Sequence, residues 1–281
     1  MKHILFIAPF LLLFVACSNN SKKIELNKTD SLRIVSLAQS ISQDVEYLGL
    51  SKNIVGATSY CNVSKKNTEL IIGSSTDINI EKILILKPSV VLASTLTQPN
   101  IIESLKKNNI KVHCMGKASS FEEICNEFIK LGSVLGKKDT AAIIVSKCKN
   151  TIDSLRNNLP KLEVRPNVFF QIGSKPLFSV IPNTYMNDYL EFANCKNIAS
   201  DLTSGTITRE AVIKRNPDII FVVTMGVVGN EEVNIWKTFK QINAVKNNRI
   251  YILDSDIACA PTPITFVETF QVMIKNIYEN K

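Results

Sequence analysis

Hydrophobic and polar positions alternate along the chain in blocks that predict strands followed by helices. Short runs rich in β-branched residues, such as residues 32–38 and 89–94, are each followed by a stretch with apolar positions at helical spacing. This order is typical of βαβ units around a parallel sheet. The same order returns from residue 167, so the pattern predicts two α/β regions.

Between the two α/β regions the pattern changes to helix alone. Residues 119–136 carry an apolar face and open with Ser120 and Glu123, which have the spacing of a capping box. A second helix is expected from about Lys137 to Leu159, with apolar residues spaced by threes and fours and a proline directly after it. At 1.5 Å per residue this helix would be roughly 35 Å long. We expect it to join the two regions as a single long backbone helix.

One fifteen-residue pattern occurs in both regions. Residues 81–95, EKILILKPSVVLAST, and residues 210–224, EAVIKRNPDIIFVVT, share a leading glutamate, a proline seven positions later and a closing threonine. Each copy predicts a short helix that the proline stops, followed by a buried parallel strand. Ligands of open parallel sheets bind beyond the carboxyl ends of the strands, so we expect a cleft where these ends meet.

The pattern therefore predicts an α/β fold with two Rossmann-like lobes, each built on a parallel sheet, and a ligand cleft between the lobes. The expected segments are an N-terminal lobe at residues 32–118, a helical region with the linker helix at 119–160 and a C-terminal lobe at 161–281. The 281 residues and the 45% hydrophobic content are sufficient for two such lobes.

The first 31 residues predict export. Ile4 to Val15 is apolar but shorter than the roughly 20 residues that span a bilayer. The sequence FVAC at its end is similar to a bacterial lipobox, which implies removal of residues 1–16 and lipidation of Cys17. The alternative is an ordinary secretory signal with an incidental cysteine. Residues 17–31 would be a flexible tether, and the exported chain would be lipid-anchored to the cell membrane, facing the periplasm.

The charge distribution argues against nucleic acid as a partner. The formal net charge is +8, but the lysines are dispersed along the chain. A nucleic-acid-binding protein would collect them on one element, interleaved with aromatic residues. A solvated basic surface explains the pattern, and mild attraction to an anionic lipid or ligand is the alternative.

Sequence signals for catalysis and for a resident metal are missing. None of the seven cysteines forms a CxxC pair, and after export His113 would be the one remaining histidine. A two-histidine metal site and a nucleophile with a histidine base therefore lack support, as do phosphate-loop and nucleophile-elbow motifs. We expect a binding protein without a cofactor. The alternatives are an exported enzyme that uses carboxylates alone and a purely structural surface lipoprotein.

Three segments span the predicted lobes: RIVSLAQSISQDVEYLGLSKNIVGATSYC, EKILILKPSVVLAS and NIASDLTSGTITREAVIKRNPDIIFVV. Together, over residues 32–278, they resemble the solute-binding lipoproteins of ABC importers for vitamin B12, ferric siderophores and haem. The resemblance implies a monomer that clasps an iron complex or cobalamin and delivers it to a permease dimer with its ATPase subunits. It also implies that Glu81 and Glu210 dock against permease arginines. The alternative is that each glutamate only favours a helix N-terminus.

Loop position supplies the candidate ligand-binding residues. In the first lobe they follow three successive strands, and in the second lobe they occupy counterpart loops: Gln39, Ser40, Tyr60, Cys61, Thr95 and Thr97, then Phe178, Met225 and Asp256. Phe178 and Asp256 match family positions that contact vitamin B12; the alternatives are a core aromatic and a turn cap. Ser75 and Ser204 stand where B12 binders often have tryptophan, and haem would need Tyr60 as an axial ligand. The ligand therefore stays open between a ferric siderophore, haem and cobalamin.

Overall fold

The first lobe is built on a parallel sheet. A computed structural model describes residues 32–224 and 228–279 of the chain. The sheet has the strand order β2-β1-β3-β4, and its strands are β1 (Ile34–Ser36), β2 (Ile54–Ala57), β3 (Val90–Ala93) and β4 (Val112–Cys114). The connecting helices are α1 (Gln39–Tyr47), α2 (Asn62–Lys66), α3 (Ile80–Leu86) and α4 (Pro99–Lys107), with short 3₁₀ turns at Ser51–Asn53 and Thr68–Leu70.

Two helices lead from the first sheet to the second, α5 (Phe121–Val134) and α6 (Lys138–Asn157). The chain reverses between them at Gly136, whose φ of +70° is in the left-handed region that favours glycine. The 20 residues of α6 extend for about 30 Å. This helix is the predicted long connection, and it begins and ends within two residues of the expected positions.

The start of α5 forms half of the predicted capping box. Ser120 Oγ accepts a hydrogen bond from Glu123 N at 3.2 Å, as expected. The Glu123 carboxylate, however, accepts from Ser119 N at 2.7 Å and from the Ser119 hydroxyl at 2.6 Å. The reciprocal bond therefore reaches one residue further back than the capping-box pattern predicts.

The second lobe has a mostly parallel sheet of order β6-β5-β8-β9, in which β7 also pairs with β5. Its strands are β5 (Asn167–Ser174), β6 (Leu177–Ser179), β7 (Lys196–Asn197), β8 (Ile219–Thr224) and β9 (Ile250–Asp254). Only β6 runs antiparallel to its neighbour. The helices are α7 (Tyr185–Phe192), α8 (Arg209–Arg215), α9 (Val228–Lys237), α10 (Asn243–Lys246), α11 (Ser255–Ala258) and α12 (Pro263–Tyr278).

One hydrophobic core extends through both lobes. Ile34 of β1 and Phe221 of β8 belong to the same buried cluster, which also takes in the inner faces of α5, α6 and α12. At its centre the Phe266 ring of α12 stacks on Phe121 of α5 at 4.4 Å and on Tyr189 of α7 at 4.3 Å. The strands also bury their opposite faces against other helices, which explains why their sequences are continuously apolar. These features confirm the predicted α/β fold with two parallel-sheet lobes.

The two fifteen-residue copies adopt the same backbone plan. Asn79 caps α3 and Thr208 caps α8, and each side chain accepts the backbone N–H three residues on, at 2.8 and 3.2 Å. Each helix ends at a non-glycine residue in the left-handed region, Lys87 with φ 46° and Asn216 with φ 45°. A proline follows each of these residues and a buried strand comes next. The predicted helix, stop and strand therefore occur in both lobes.

Two candidate segments differ from the loops expected for them. Gln39 and Ser40 form the first turn of α1 rather than a loop. Phe178 lies in the short edge strand β6. In the described parts of the chain, no helix has both the length and the apolar character needed to cross a membrane.

Candidate ligand-binding cleft

The carboxyl ends of the two sheets meet between the lobes. Helix α2 follows β2 and helix α11 follows β9, and Lys65 Nζ of α2 lies 3.0 Å from Asp256 Oδ2 of α11. From α1, Gln43 Nε2 donates to the backbone oxygen of Asp256 at 3.2 Å. The segments that follow the parallel strands therefore converge from both lobes, which is the arrangement expected of a ligand cleft.

Asp256 is the candidate residue that contacts both lobes. Burial raises its pKa, but the amide of Gln39 and the ammonium of Lys65 stabilise the carboxylate and hold the pKa below its ordinary value. Gln39 lies beside Asp256. Its buried Nε2 has no hydrogen-bond partner, so the two side chains do not form a well-aligned hydrogen bond. The turn cap of α11 is Asp254, whose Oδ1 accepts from Asp256 N at 2.8 Å. Asp256 is therefore ionised at neutral pH, and its side chain faces the other lobe.

The loop after β2 has one exposed and one buried candidate. Tyr60 is 61% exposed. Cys61 is fully buried in the core, and its Sγ lies 3.2 Å from Thr58 Oγ1. The burial argues against a contact between the Cys61 thiol and a ligand, because the sulfur packs below the loop at the start of α2. Tyr60 is the side chain of this pair that a ligand can reach.

The loop after β3 likewise separates its two candidates. Thr95 is exposed, whereas Thr97 is buried and its Oγ1 accepts from Ser94 N at 3.2 Å. The buried Thr97 side chain thus stabilises the turn through this hydrogen bond. Leu96, which the sequence reasoning did not single out, is 89% exposed between them. A lone leucine between two threonines directly after a buried strand was the signal that could have identified it.

Phe178 is a second-lobe candidate on the short edge strand β6. Its ring covers Gly205, where an added Cβ would lie 2.2 Å from the ring, and 38% of the residue is exposed. It is therefore neither a core aromatic nor a free loop side chain. Met225 and the lipidation candidate Cys17 lie outside the described residues.

A buried group of polar side chains lies in the second lobe. Glu232 Oε2 accepts from Arg209 Nη2 at 2.6 Å and from Gln171 Nε2 at 2.9 Å. Gln171 Oε1 in turn accepts from Trp236 Nε1 at 2.7 Å, and the Arg209 guanidinium lies 4.7 Å from the centre of the Trp236 ring. We call these four residues the second-lobe polar cluster. The sequence reasoning missed it, although a glutamine inside the apolar strand NVFFQI was a visible signal.

The two docking candidates occupy equivalent positions. Glu81 and Glu210 are exposed first-turn residues of α3 and α8. For Glu210, a bond from its own backbone N–H and one from the Thr208 hydroxyl hold the pKa below the ordinary value. The Glu210 carboxylate therefore interacts with the start of its own helix and also remains at the surface.

Nowhere in residues 32–224 and 228–279 do three His, Cys, Asp or Glu side chains gather closely enough to hold a metal ion. The six cysteines of these ranges are free thiols, and burial raises the pKa of Cys125 to about 12 and that of Cys148 to about 11.

Comparison with known proteins identifies the family. The model of the periplasmic binding protein family matches residues 34–257, which include both sheets and the contact between Lys65 and Asp256. The chain belongs to the periplasmic binding protein family. Its relatives include a substrate-binding lipoprotein of an ABC transporter and an Fe(3+)-citrate-binding protein, so the alternative of an exported enzyme has no support from them.

Three relatives show how far the similarity extends. An ABC transporter substrate-binding lipoprotein of Bacillus subtilis, YvrC, is 29% identical over 258 residues, covering 89% of this chain and 81% of the relative. The Fe(3+)-citrate-binding protein YfmC of the same organism is 26% identical, covering 80% and 73%. The crystal structure of a possible iron-binding, periplasmic solute-binding protein from Staphylococcus epidermidis superposes with a TM-score of 0.77 at 29% identity, covering 88% of this chain and 98% of that one.

Proposed function

We propose that this chain is the solute-binding lipoprotein of an ABC importer and that it captures an iron complex between its lobes. The observation that carries the proposal is the convergence of the two sheets' carboxyl ends at Lys65 and Asp256 in a member of the periplasmic binding protein family. Two relatives support the ligand class, since one is named for ferric citrate and another is described as possibly iron-binding. The iron complex is cargo, and no resident cofactor is needed.

The residues at the cleft suit an anionic ferric chelate. Lys65 and Asp256 form an ion pair whose side chains are 49% and 41% exposed. Such exposed pairs contribute only about 0–1 kcal/mol, so a carboxylate of the ligand can replace Asp256 as the partner of Lys65. Tyr60 and Leu96 add exposed aromatic and aliphatic surface on the neighbouring loops.

Haem is the second candidate ligand because Tyr60 is exposed directly after β2. A tyrosine oxygen can serve as an axial ligand of haem iron. Cobalamin is the third candidate and would use Phe178, partly exposed at the edge of the second sheet, together with Asp256.

Calorimetric titration of the purified chain separates these ligands. With ferric citrate, we expect binding that Lys65→Met weakens at least about tenfold, a loss of roughly 1.4 kcal/mol. Lys66→Met is the control, since Lys66 is the exposed neighbour in the same helix. Tight haemin binding that is lost in Tyr60→Phe would reassign the ligand to haem. Failure to bind ferric citrate, ferric siderophores, haemin and cyanocobalamin alike would overturn the ligand class.

The docking proposal concerns Glu81 and Glu210. One exposed carboxylate at the start of a helix in each lobe can form bidentate pairs with arginines of two permease subunits. The double substitution Glu81→Ala and Glu210→Ala is expected to leave ligand affinity unchanged and to reduce uptake. The control replaces Glu103 and Glu231, which are also exposed and also lie one in each lobe. Normal uptake by the first double variant would refute the docking role.

Membrane attachment is proposed to occur through Cys17. The relative YvrC is called a lipoprotein, and the sequence FVAC precedes a polar stretch in this chain. Labelled fatty acid is expected to be incorporated into the unchanged protein and not into Cys17→Ala. Equal incorporation into both proteins would exclude a lipid anchor at Cys17.

A further inference from the structure

The second-lobe polar cluster links two helices with different surroundings. Arg209 directly precedes the docking candidate Glu210 in α8. Glu232 lies in α9, the helix that packs against β8 and β9. The 2.6 Å ion pair between Arg209 and Glu232 is therefore a direct connection from the first turn of α8 to α9.

The connection is largely buried. Glu232 is 2% exposed, Gln171 is 1% exposed, and the Arg209 side chain is 23% exposed. Breaking one partner of a buried ion pair leaves an uncompensated charge, so the pair strongly favours one separation of the two helices. Of the other two guanidinium nitrogens, Arg209 Nη1 is buried without a hydrogen-bond partner, and the guanidinium lies over the Trp236 ring.

The other end of the cluster reaches the carboxyl ends of the second-lobe strands. Glu232 and Gln171 line a small cavity together with Ser174 at the end of β5 and with Val222 and Val223 of β8. Carboxyl ends of parallel strands are where ligands of this fold class bind. The carboxylate that holds Arg209 therefore also lines this cavity.

We propose that Arg209, Glu232 and Gln171 position Glu210 and couple its placement to the cavity at the carboxyl ends of β5 and β8. The inference rests on the proposed docking role of Glu210. Arg209 and Glu232 are positioning residues, because they act through α8 without having to touch the permease. The residue directly before the first copy of the repeat, equivalent to Arg209, is Ile80, so the coupling operates through the second lobe.

Amide hydrogen exchange of the full chain tests the link between α8 and α9. The reporters are Ala211 N and Val212 N, which donate to Thr208 Oγ1 and Thr208 O at 3.2 and 3.1 Å. Glu232→Gln removes the negative charge of the pair and leaves the positive charge of Arg209. The paired substitution of Arg209→Met with Glu232→Leu removes both charges and avoids leaving one buried alone, which keeps the test open if the single variant does not fold.

We expect these two amides to exchange roughly tenfold faster in the paired variant. The control is Glu231→Gln, which removes one carboxylate from the exposed face of the same helix and should leave the exchange unchanged. Unchanged exchange in both cluster variants would overturn the proposal, since α8 would then be held by other contacts.

A double-mutant cycle tests whether the link serves docking. The measurement is the dissociation constant of the full chain, without added ligand, for its permease–ATPase complex in lipid nanodiscs. The paired variant should weaken docking, and adding Glu210→Ala to it should cause no loss beyond that of Glu210→Ala alone, because coupled residues are not additive. Additive losses, or unchanged docking of the paired variant, would refute the coupling.

The two proposals fail in different ways in this cycle. Unchanged docking of Glu210→Ala by itself contradicts the docking role and, with it, the reason for positioning Glu210. Weakened docking of Glu210→Ala with normal docking of the paired variant contradicts the positioning role alone. Ligand affinity does not enter either comparison.

Discussion

The two copies of the repeated segment hold the same helix start with different anchors. In the first lobe, Lys82 Nζ donates to the backbone oxygens of Ile71 at 2.7 Å and Glu69 at 3.1 Å. In the second lobe, Arg209 pairs with the buried carboxylate of Glu232 on a separate helix. A carbonyl is a neutral acceptor fixed in the backbone, whereas a buried carboxylate depends on its partner. The shared pattern thus specifies caps and stops, while the attachment of each helix is set by residues elsewhere.

The largest expected difference between the lobes concerns these anchors. Glu232→Gln should reduce the free energy of unfolding by about 3–5 kcal/mol, because it leaves the Arg209 charge buried. Lys82→Met should cost only about 1–2 kcal/mol, because its acceptors remain in a partly solvated loop. Urea denaturation measures both values, with Glu231→Gln expected within about 0.5 kcal/mol of the unchanged protein. Equal losses of unfolding free energy in Glu232→Gln and Lys82→Met would show that the two anchors contribute equally.

The N-caps should behave alike in both lobes. Asn79→Ala and Thr208→Ala each remove a side chain that accepts a first-turn N–H, and each should cost about 1 kcal/mol in thermal unfolding. Thr203→Ala, at an exposed position of the second lobe, serves as the control and should have little effect. A loss confined to one cap would show that the copies differ in more than their anchors.

Glycine substitutions at the C-terminal ends of α3 and α8 should change the stability of the protein in opposite directions. Lys87→Gly should stabilise the protein by about 0.5–1 kcal/mol, because glycine adopts the left-handed region without a Cβ penalty. Asn216→Gly should instead destabilise it by about 1 kcal/mol, because Asn216 Oδ1 accepts from Asn243 N at 2.8 Å. Calorimetric melting of both variants gives the comparison. Stabilisation by both glycines would mean that the Asn216 side chain contributes nothing.

The smallest effect on stability is expected from the contact between Lys65 and Asp256, which joins the two lobes. The amide of Gln39 and the ammonium of Lys65 lower the pKa of Asp256, so these contacts stabilise the native state above the ordinary aspartate pKa of about 3.9. That contribution is lost as the pH falls through the lower native pKa. NMR titration should show the Asp256 pKa rising in Lys65→Met. Asp201 is the control, because its pKa is lowered by Arg215 within the second lobe and should stay low.

Local features of the fold were predictable because they depend on neighbouring residues. Pro88 and Pro217 mark the ends of α3 and α8 in the sequence as they do in the structure. The contacts that define the cleft were not predictable in the same way. Lys65 and Asp256 are separated by 191 residues, so their pairing depends on how the lobes pack.

Side-chain burial in the candidate loops was also beyond sequence reasoning. Cys61 follows an exposed tyrosine and is itself fully buried, while Leu96 is exposed and the adjacent Thr97 is buried. Loop position gave the correct edge of the sheet in these cases. The direction of each side chain depends on turn geometry, such as the bond between Ser94 N and Thr97 Oγ1.

The close contact between α5 and α6 leaves no room for a side chain at Gly132. An added Cβ at Gly132 would lie 2.5 Å from the Ala141 Cβ and 3.0 Å from the Lys137 backbone oxygen. Any other residue at position 132 would therefore push α6 outward, and α6 packs against the core that both sheets share. The packing of the two helices that connect the lobes thus depends on a glycine outside the candidate ligand-binding residues.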